Sequence, residues 1–334
     1  MNLAQYVNTF GRAMLARFGE RVHKIAIDAG FTCPNRDGSI GRGGCTFCNN
    51  VSFSPNGRKP RPIAEQIESG RQVIRKRTGA KKYLAYFQAY TNTYADTGEL
   101  SCLYDQALRQ PGVIGLDVGT RPDCVPDEVL DLLADYQQQG YEVWLELGLQ
   151  SAHDATLARV NRGHGFAEYR QAVLKARSRG LQVCTHLILG LPGESTEHHL
   201  ASLENVLALG VDGLKIHPLH VVKGTQLANE WRRGGYRPMT MEEYVSDVVE
   251  LVRRTPDSII FHRLTGTASA DILLAPSWCS KKWQVLNRIT QALAGQEYRL
   301  DRVAAETVVQ GLMSPGRQSC PSAQSMPSIP PAGP

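Results

Sequence analysis

Lys24-Ile-Ala-Ile-Asp28 is followed closely by Cys33-Pro-Asn-Arg-Asp-Gly-Ser-Ile-Gly-Arg-Gly-Gly-Cys45-Thr-Phe-Cys48, an apolar strand-like run leading into a loop that carries three cysteines. Thiolates are soft ligands suited to zinc or to the iron of an iron-sulfur cluster. Six glycine, proline or asparagine residues between the first and last sulfur let the backbone fold around one metal centre. Three protein ligands instead of four leave a coordination position open, as in a cubane whose last iron can take a small molecule. Structural zinc usually draws all four ligands from the chain. The triplet alone also admits a zinc knuckle completed by a distant ligand, or three buried free thiols.

Outward from this loop, short apolar runs alternate with helical periodicities, the pattern of repeated βαβ units and a parallel sheet. Strands are expected at 24–28, 83–88, 115–119, 143–149, 183–189 and 213–217. A helix is expected over 126–138, with Val129, Leu132, Leu133 and Tyr136 on one face and Pro126 in its first turn. Leu200, Leu203, Val206 and Leu207 form a similar core stripe after the fifth strand. Beyond residue 240 a helix at 241–253, a strand at 258–262 and the stretch Lys281-Lys282-Trp283 follow, and 314–334 reads as a disordered polar tail.

With 334 residues, 42% hydrophobic and 21% charged, the chain can bury a full core. Eight cysteines with no secretory leader suggest a reducing compartment, the cytoplasm, and no run is long and apolar enough for a membrane span. The net charge of +5 is mildly basic, with Lys and Arg gathered at Arg58, Lys59 and Arg61, at Arg71-Gln-Val-Ile-Arg75-Lys76-Arg77 and at Lys81-Lys82. Such clusters are a solvated face or a phosphate-binding patch.

Parallel barrels and half-barrels place chemistry at the C-terminal ends of their strands. The loops expected there are the cysteine loop, Tyr90-Thr91-Asn92-Thr93-Tyr94, Gly119-Thr120-Arg121-Pro122-Asp123 and Gln150-Ser151, all polar. In strand four, Glu146 and Gln150 share a side under period two. A carboxylate aimed inward needs a partner, either an inward Lys or Arg or a ligand hydroxyl.

The cysteine loop, Gly119-Thr-Arg-Pro-Asp123, Glu146-Leu-Gly-Leu-Gln-Ser151 leading to Leu157-Ala-Arg-Val-Asn-Arg-Gly-His164, His186-Leu-Ile-Leu-Gly190-Leu-Pro-Gly193-Glu-Ser195, and Lys215-Ile-His217-Pro-Leu-His-Val-Val-Lys-Gly224-Thr225 occur in this order on successive strands. Together they resemble radical S-adenosylmethionine (SAM) enzymes, in the branch of the Elongator catalytic subunit. From about residue 20 to 295, including Leu273-Leu-Ala-Pro-Ser-Trp-Cys279, the chain most resembles the stand-alone bacterial YhcC/YtqA-like family. The resemblance implies an α/β fold, a partial (β/α)6 TIM-like radical SAM barrel with a small C-terminal extension. The implied division is a lead-in at 1–20, a core at 21–235, an extension at 236–300, and a short helix and tail at 301–334.

It also implies that Cys33, Cys45 and Cys48 hold three irons of a [4Fe-4S] cluster while SAM chelates the fourth, and that reductive cleavage of SAM yields a 5′-deoxyadenosyl radical. Glu146 and Gln150 match the position that meets the ribose hydroxyls, and Arg159 a basic position for the methionine carboxylate. Gly190 and Gly193 match the adenine-side turn, and Lys215 and His217 lie near the same pocket. The usual glycine-glycine-glutamate element after strand two is missing, so Gln88 and Asn92 stand in its place as candidate amine contacts. Eleven residues separate Cys33 from Cys45, a long spacing shared with the Elongator branch. There is no room after residue 295 for an acetyltransferase domain, so acetyl-coenzyme A chemistry is not carried over.

The substrate expected from the resemblance is tRNA, modified at C5 of the wobble uridine, with Lys281, Lys282 and Trp283 as phosphate and stacking contacts and a flavodoxin or ferredoxin as reductant. The alternatives are a radical enzyme acting on a protein or small metabolite, and a non-catalytic metal-stabilised RNA-binding module. Cys184 reads as core packing, and Cys279, His262 and Arg263 as residues that could face substrate.

Overall fold

Period-two alternation within each apolar run gives every strand one face for the helices and one for the barrel interior. The computed structural model describes residues 2–49 and 61–295. Its strands are β1 (Val22–Ile27), β2 (Lys82–Phe87), β3 (Val113–Thr120), β4 (Glu142–Gln150), β5 (Gln182–Leu189), β6 (Gly213–Pro218), β7 (Val221–Val222), β8 (Ile260–Arg263) and β9 (Leu273–Ala275). One parallel sheet runs β1-β2-β3-β4-β5-β6-β8, and β7 pairs antiparallel with β9. All six expected strands are present. The strand expected at 258–262 joins the same sheet beside β6, so the partial barrel has seven strands where the resemblance implies six.

Outward-facing Ile25, Ile27, Ala85, Phe87, Leu116, Val118, Leu145, Leu147, Val183, Leu187, Leu214 and Ile216 pack under the helices in the main core. The helix Asp127–Gln138 buries Val129, Leu133 and Tyr136, while Leu132 is only partly covered and Pro126 sits at the cap, one residue before the helix. The helix Thr196–Leu207 buries Leu203 and Val206 and half-buries Leu200 and Leu207. The helix Met241–Arg254 is closed at its start by a capping box between Thr240 and Glu243. The helix Lys282–Ala294 packs against it. The expected tail and short helix beyond 300, and Arg58 and Lys59 of the basic segment, lie outside the described residues.

The two edges of the sheet, β1 and β8, are joined from below by the helix Phe10–Phe18. Thr9 caps this helix, its hydroxyl accepting from Arg12 N at 3.3 Å, and also bridges Phe261 of β8. Phe10 and Met14 meet Val22, Leu84, Trp144 and Cys184 in a small apolar cluster that seals the N-terminal end of the interior. Cys184 is therefore core packing, as expected from the sequence. Phe10→Ala is expected to destabilise the fold by about 3–5 kcal/mol in urea unfolding, the usual cost of emptying a buried aromatic site. A loss below about 1 kcal/mol would show that the seam closes without this ring.

Candidate active site

Above the sealed end, the strands' C-terminal ends surround a cavity of about 210 Å³. Cys33, Cys45 and Cys48 line it together, although they come from one loop with two consecutive left-handed glycines, Gly43 and Gly44, ahead of Cys45. Three guanidiniums surround them. Arg36 donates to the Cys48 carbonyl at 2.7 Å, Arg162 donates to Cys45 Sγ at 3.6 Å, and Arg121 is held by Asp123 at 2.7 Å. Arg162 also donates to the Gly148 carbonyl at 2.6 Å, an approach that a side chain at Gly148 would block. Burial and the neighbouring Cys45 push the Cys48 thiol up to about 11, so thiolates here need a cation of their own. Buried Arg162 Nε has no hydrogen-bond partner among the described residues. Soft sulfur donors, nearby positive charge and an unsatisfied donor fit an anionic iron-sulfur cluster held by three thiolates.

Below the sulfurs lies a polar layer to which every strand of the main sheet contributes: Lys24, Tyr86, Asp117, Glu146, His186, Lys215 and His262. Glu146 is fully buried at its centre. Its Oε1 accepts from Lys24 Nζ at 2.6 Å, and its Oε2 accepts from Lys215 Nζ at 2.7 Å and from His186 Nε2 at 2.8 Å. Burial works against ionisation of Glu146, but Lys215, Lys24 and His186 hold its carboxyl well below the usual range. Lys24 also pairs with Asp117 and donates to His262 Nδ1 at 2.8 Å. Burial lowers the Lys24 pKa, yet Asp117 and Glu146 together raise it to about 12. Burial and the Glu146 carboxylate push Asp117 up to about 7. Lys215 donates to the Tyr86 hydroxyl, and burial brings its ammonium down to about 8.

Residues 33–206 match the family model described as the radical SAM superfamily, and residues 211–294 match its C-terminal domain. The chain belongs to the radical SAM superfamily. Members of this family use a [4Fe-4S] cluster and SAM. The protein YhcC of Escherichia coli K12 is 52% identical over 283 residues, covering 85% of this chain and 91% of that one. A protein named tRNA uridine(34) acetyltransferase from Dehalococcoides mccartyi is 34% identical over 145 residues, 42% of this chain and 31% of its own. Among solved structures, Methanocaldococcus infernus Elp3 with an N-terminal deletion superposes with a TM-score of 0.64 at 18% identity. That match covers 83% of this chain and 64% of the Elp3 chain, and it shows a shared fold.

Of the positions singled out in the sequence of this radical SAM protein, the three cysteines, Gln88, Glu146, Gln150, Lys215 and His217 line the one cavity. Gln150 adopts a left-handed backbone (φ 81°) at a bulge ending β4, and both it and Glu146 line the cavity. Asn92, Arg159, Gly190 and Gly193 are not on the lining. Asn92 is buried and ties its loop to the Gly119 carbonyl at 2.7 Å. Gly190 is held by internal bonds, its N–H donating to His199 Nε2 at 3.1 Å and its carbonyl accepting from Tyr236 at 2.7 Å. The Arg159 side chain is 50% exposed and pairs with Glu230. The left-handed turn at Asn161 (φ 52°) sends Arg162 inward in its place. His262 is committed to the polar layer and Cys279 is buried in the main core, and neither is on the lining of the cavity.

Sequence reasoning missed Lys24, Tyr86, Asp117 and His186. The available signal was their placement on the same alternate register as Glu146.

Removing one cation from this layer leaves a buried carboxylate under-compensated. Lys215→Met is expected to cost about 3–5 kcal/mol in denaturant unfolding, and a near-neutral result would refute the charge balance described. Because the folded chain holds the Asp117 proton more tightly than the unfolded chain, this residue costs stability as pH rises from about 4 to about 7. Asp117→Asn should therefore gain on the parent protein in urea midpoint between pH 5 and pH 7.5. A loss over that range would mean that Lys24 depends on the carboxylate.

Proposed function

We propose that this chain is a radical SAM enzyme that modifies tRNA at the C5 substituent of the wobble uridine. The observation that carries the reading is the stretch shared with the Dehalococcoides tRNA uridine(34) acetyltransferase, combined with a cavity whose lining, among the described residues, holds five Lys or Arg side chains and one acid. The acid is Glu146, and its charge is already balanced. With three of these cations beside the sulfurs and Lys215 paired with Glu146, Arg263 is the cation left to favour an anionic substrate.

Cys33, Cys45 and Cys48 would hold the cluster, with Arg36, Arg121 and Arg162 offsetting its negative charge. Held there, the cluster would supply the electron for reductive chemistry on bound SAM. Gln88 and Gln150 offer amide donors and acceptors to the amino acid and ribose portions of SAM. Phe47, Ile188 and Leu219 give apolar wall that excludes water from a reactive centre. On the floor, Lys215 Nζ can hold a proton near neutral pH beside the Tyr86 hydroxyl and present a hydrogen bond to a polar substrate group. Outside, Lys282 lies 5.6 Å from the ring centroid of Trp283, which is 72% exposed, giving a cation and a stacking face for RNA. The reductant is a flavodoxin or ferredoxin, and the reducing compartment these thiols require is the cytoplasm.

Anaerobic reconstitution is expected to load four irons per chain and to form 5′-deoxyadenosine from SAM, whereas the Cys33, Cys45 and Cys48 triple alanine variant should do neither. Zinc bound by four side chains, or a triple variant with full activity, would reject the reading. Salt-sensitive tRNA binding and the loss of a modified uridine from tRNA of cells lacking the protein test the substrate.

A further inference from the structure

Arg263 is the cavity cation that neither the cluster nor Glu146 employs. The β6–β8 ladder slips at its end: Leu214 pairs with Phe261, but Lys215 pairs with Arg263, so two residues of β8 oppose one of β6. A bulge of this kind breaks strict alternation and re-aims a side chain. Here it lets His262 enter the polar layer while Arg263, the next residue, lines the cavity above it. Among the described residues Arg263 makes no salt bridge and no side-chain hydrogen bond. A half-buried guanidinium at the cavity wall, with five donors and no acid partner among the described residues, is available to an anionic group.

Among the described residues the neighbouring wall is also without acid. His217 and His220 line the cavity beside Arg263, and His220, only 8% exposed, has a buried Nε2 with no partner among the described residues. Burial, with Arg263 adding to it, holds both imidazoles neutral, His220 down to about 4. They therefore contribute polar contacts and no competing positive charge. Lys282, outside on the helix Lys282–Ala294, is near enough to feel the Arg263 charge, and it leads to exposed Trp283.

We propose that Arg263 is the phosphate handle of the substrate site: it grips a phosphate of the nucleotide being modified, with neutral His220 forming the adjoining wall and Lys282 and Trp283 taking the adjoining nucleotide. This rests on the tRNA reading for the identity of the substrate but not for the existence of the subsite. Charge-assisted bidentate contacts to phosphate are what an arginine in this setting provides.

The test uses the full, reconstituted chain and three probes: uridine, uridine 5′-monophosphate and an unmodified tRNA transcript, with SAM as control. Arg263→Gln should weaken binding of the monophosphate about tenfold or more while leaving uridine and SAM unchanged, the scale of one lost charged hydrogen bond. Arg263→Lys should recover part of the loss. In the tRNA arm, Arg263→Gln should flatten the dependence of log affinity on log salt by about 0.7, the share of one phosphate contact on a single strand. A loss in both arms supports the subsite and the tRNA reading together. A loss with the mononucleotide alone keeps the subsite and removes the tRNA reading, and a loss with tRNA alone assigns the handle to an RNA phosphodiester. No phosphate-dependent loss in either arm, or a fall in SAM affinity instead, overturns the proposal.

Discussion

A single carboxylate, Glu146, sets the terms for the interior of this barrel. It is fully buried, and isolated burial of such a charge is prohibitive, so the surrounding strands must present cations and donors at one height. Lys24 comes from β1, His186 from β5 and Lys215 from β6, each within 2.8 Å of one of its oxygens. The layer fixes the relative register of strands far apart in the chain. It also separates the molecule into an apolar end sealed by Phe10, Met14 and Trp144 and a reactive end lined by sulfur and arginine.

The reactive end follows from that separation. With a balanced floor, the excess positive charge of the cavity resides around the sulfurs and at Arg263. Arg36, Arg121 and Arg162 are each anchored by backbone or by Asp123, so the thiolate cage sits in a fixed electrostatic setting and does not depend on mobile surface charge. That is the kind of preorganisation by which a protein tunes a cofactor whose intrinsic chemistry is its own.

Much of this was legible in the chain. The six strand runs, the helix faces and the cysteine loop carry strong local signals, because apolar alternation and turn residues act over a few positions. Glu146 and Gln150 were placed together correctly by period two. The seventh strand of the sheet was read as a strand but not as a neighbour of β6, since pairing across some forty residues leaves no local trace. Arg159 was singled out through the resemblance alone, and nothing local in that polar segment marks Arg162 as the residue that lines the cavity after the left-handed Asn161. The partners of Glu146 were missed for the same reason: each is an ordinary polar residue on its own strand, and only assembly brings them into one plane.

The helix Phe10–Phe18 touches both β1 and β8, and Thr9 meets Phe261 across more than two hundred and fifty residues of chain. On the ribosome, the first helix is made early and its final docking partner very late. Until β8 emerges, the helix Phe10–Phe18 lacks one of the two strands it docks on and Lys24 has no His262 beside it. Such high sequence separation slows the closing step and lengthens the time over which an unfinished edge is open to misassembly. For this protein, chain order makes the last strand of the barrel the one that completes its oldest contact.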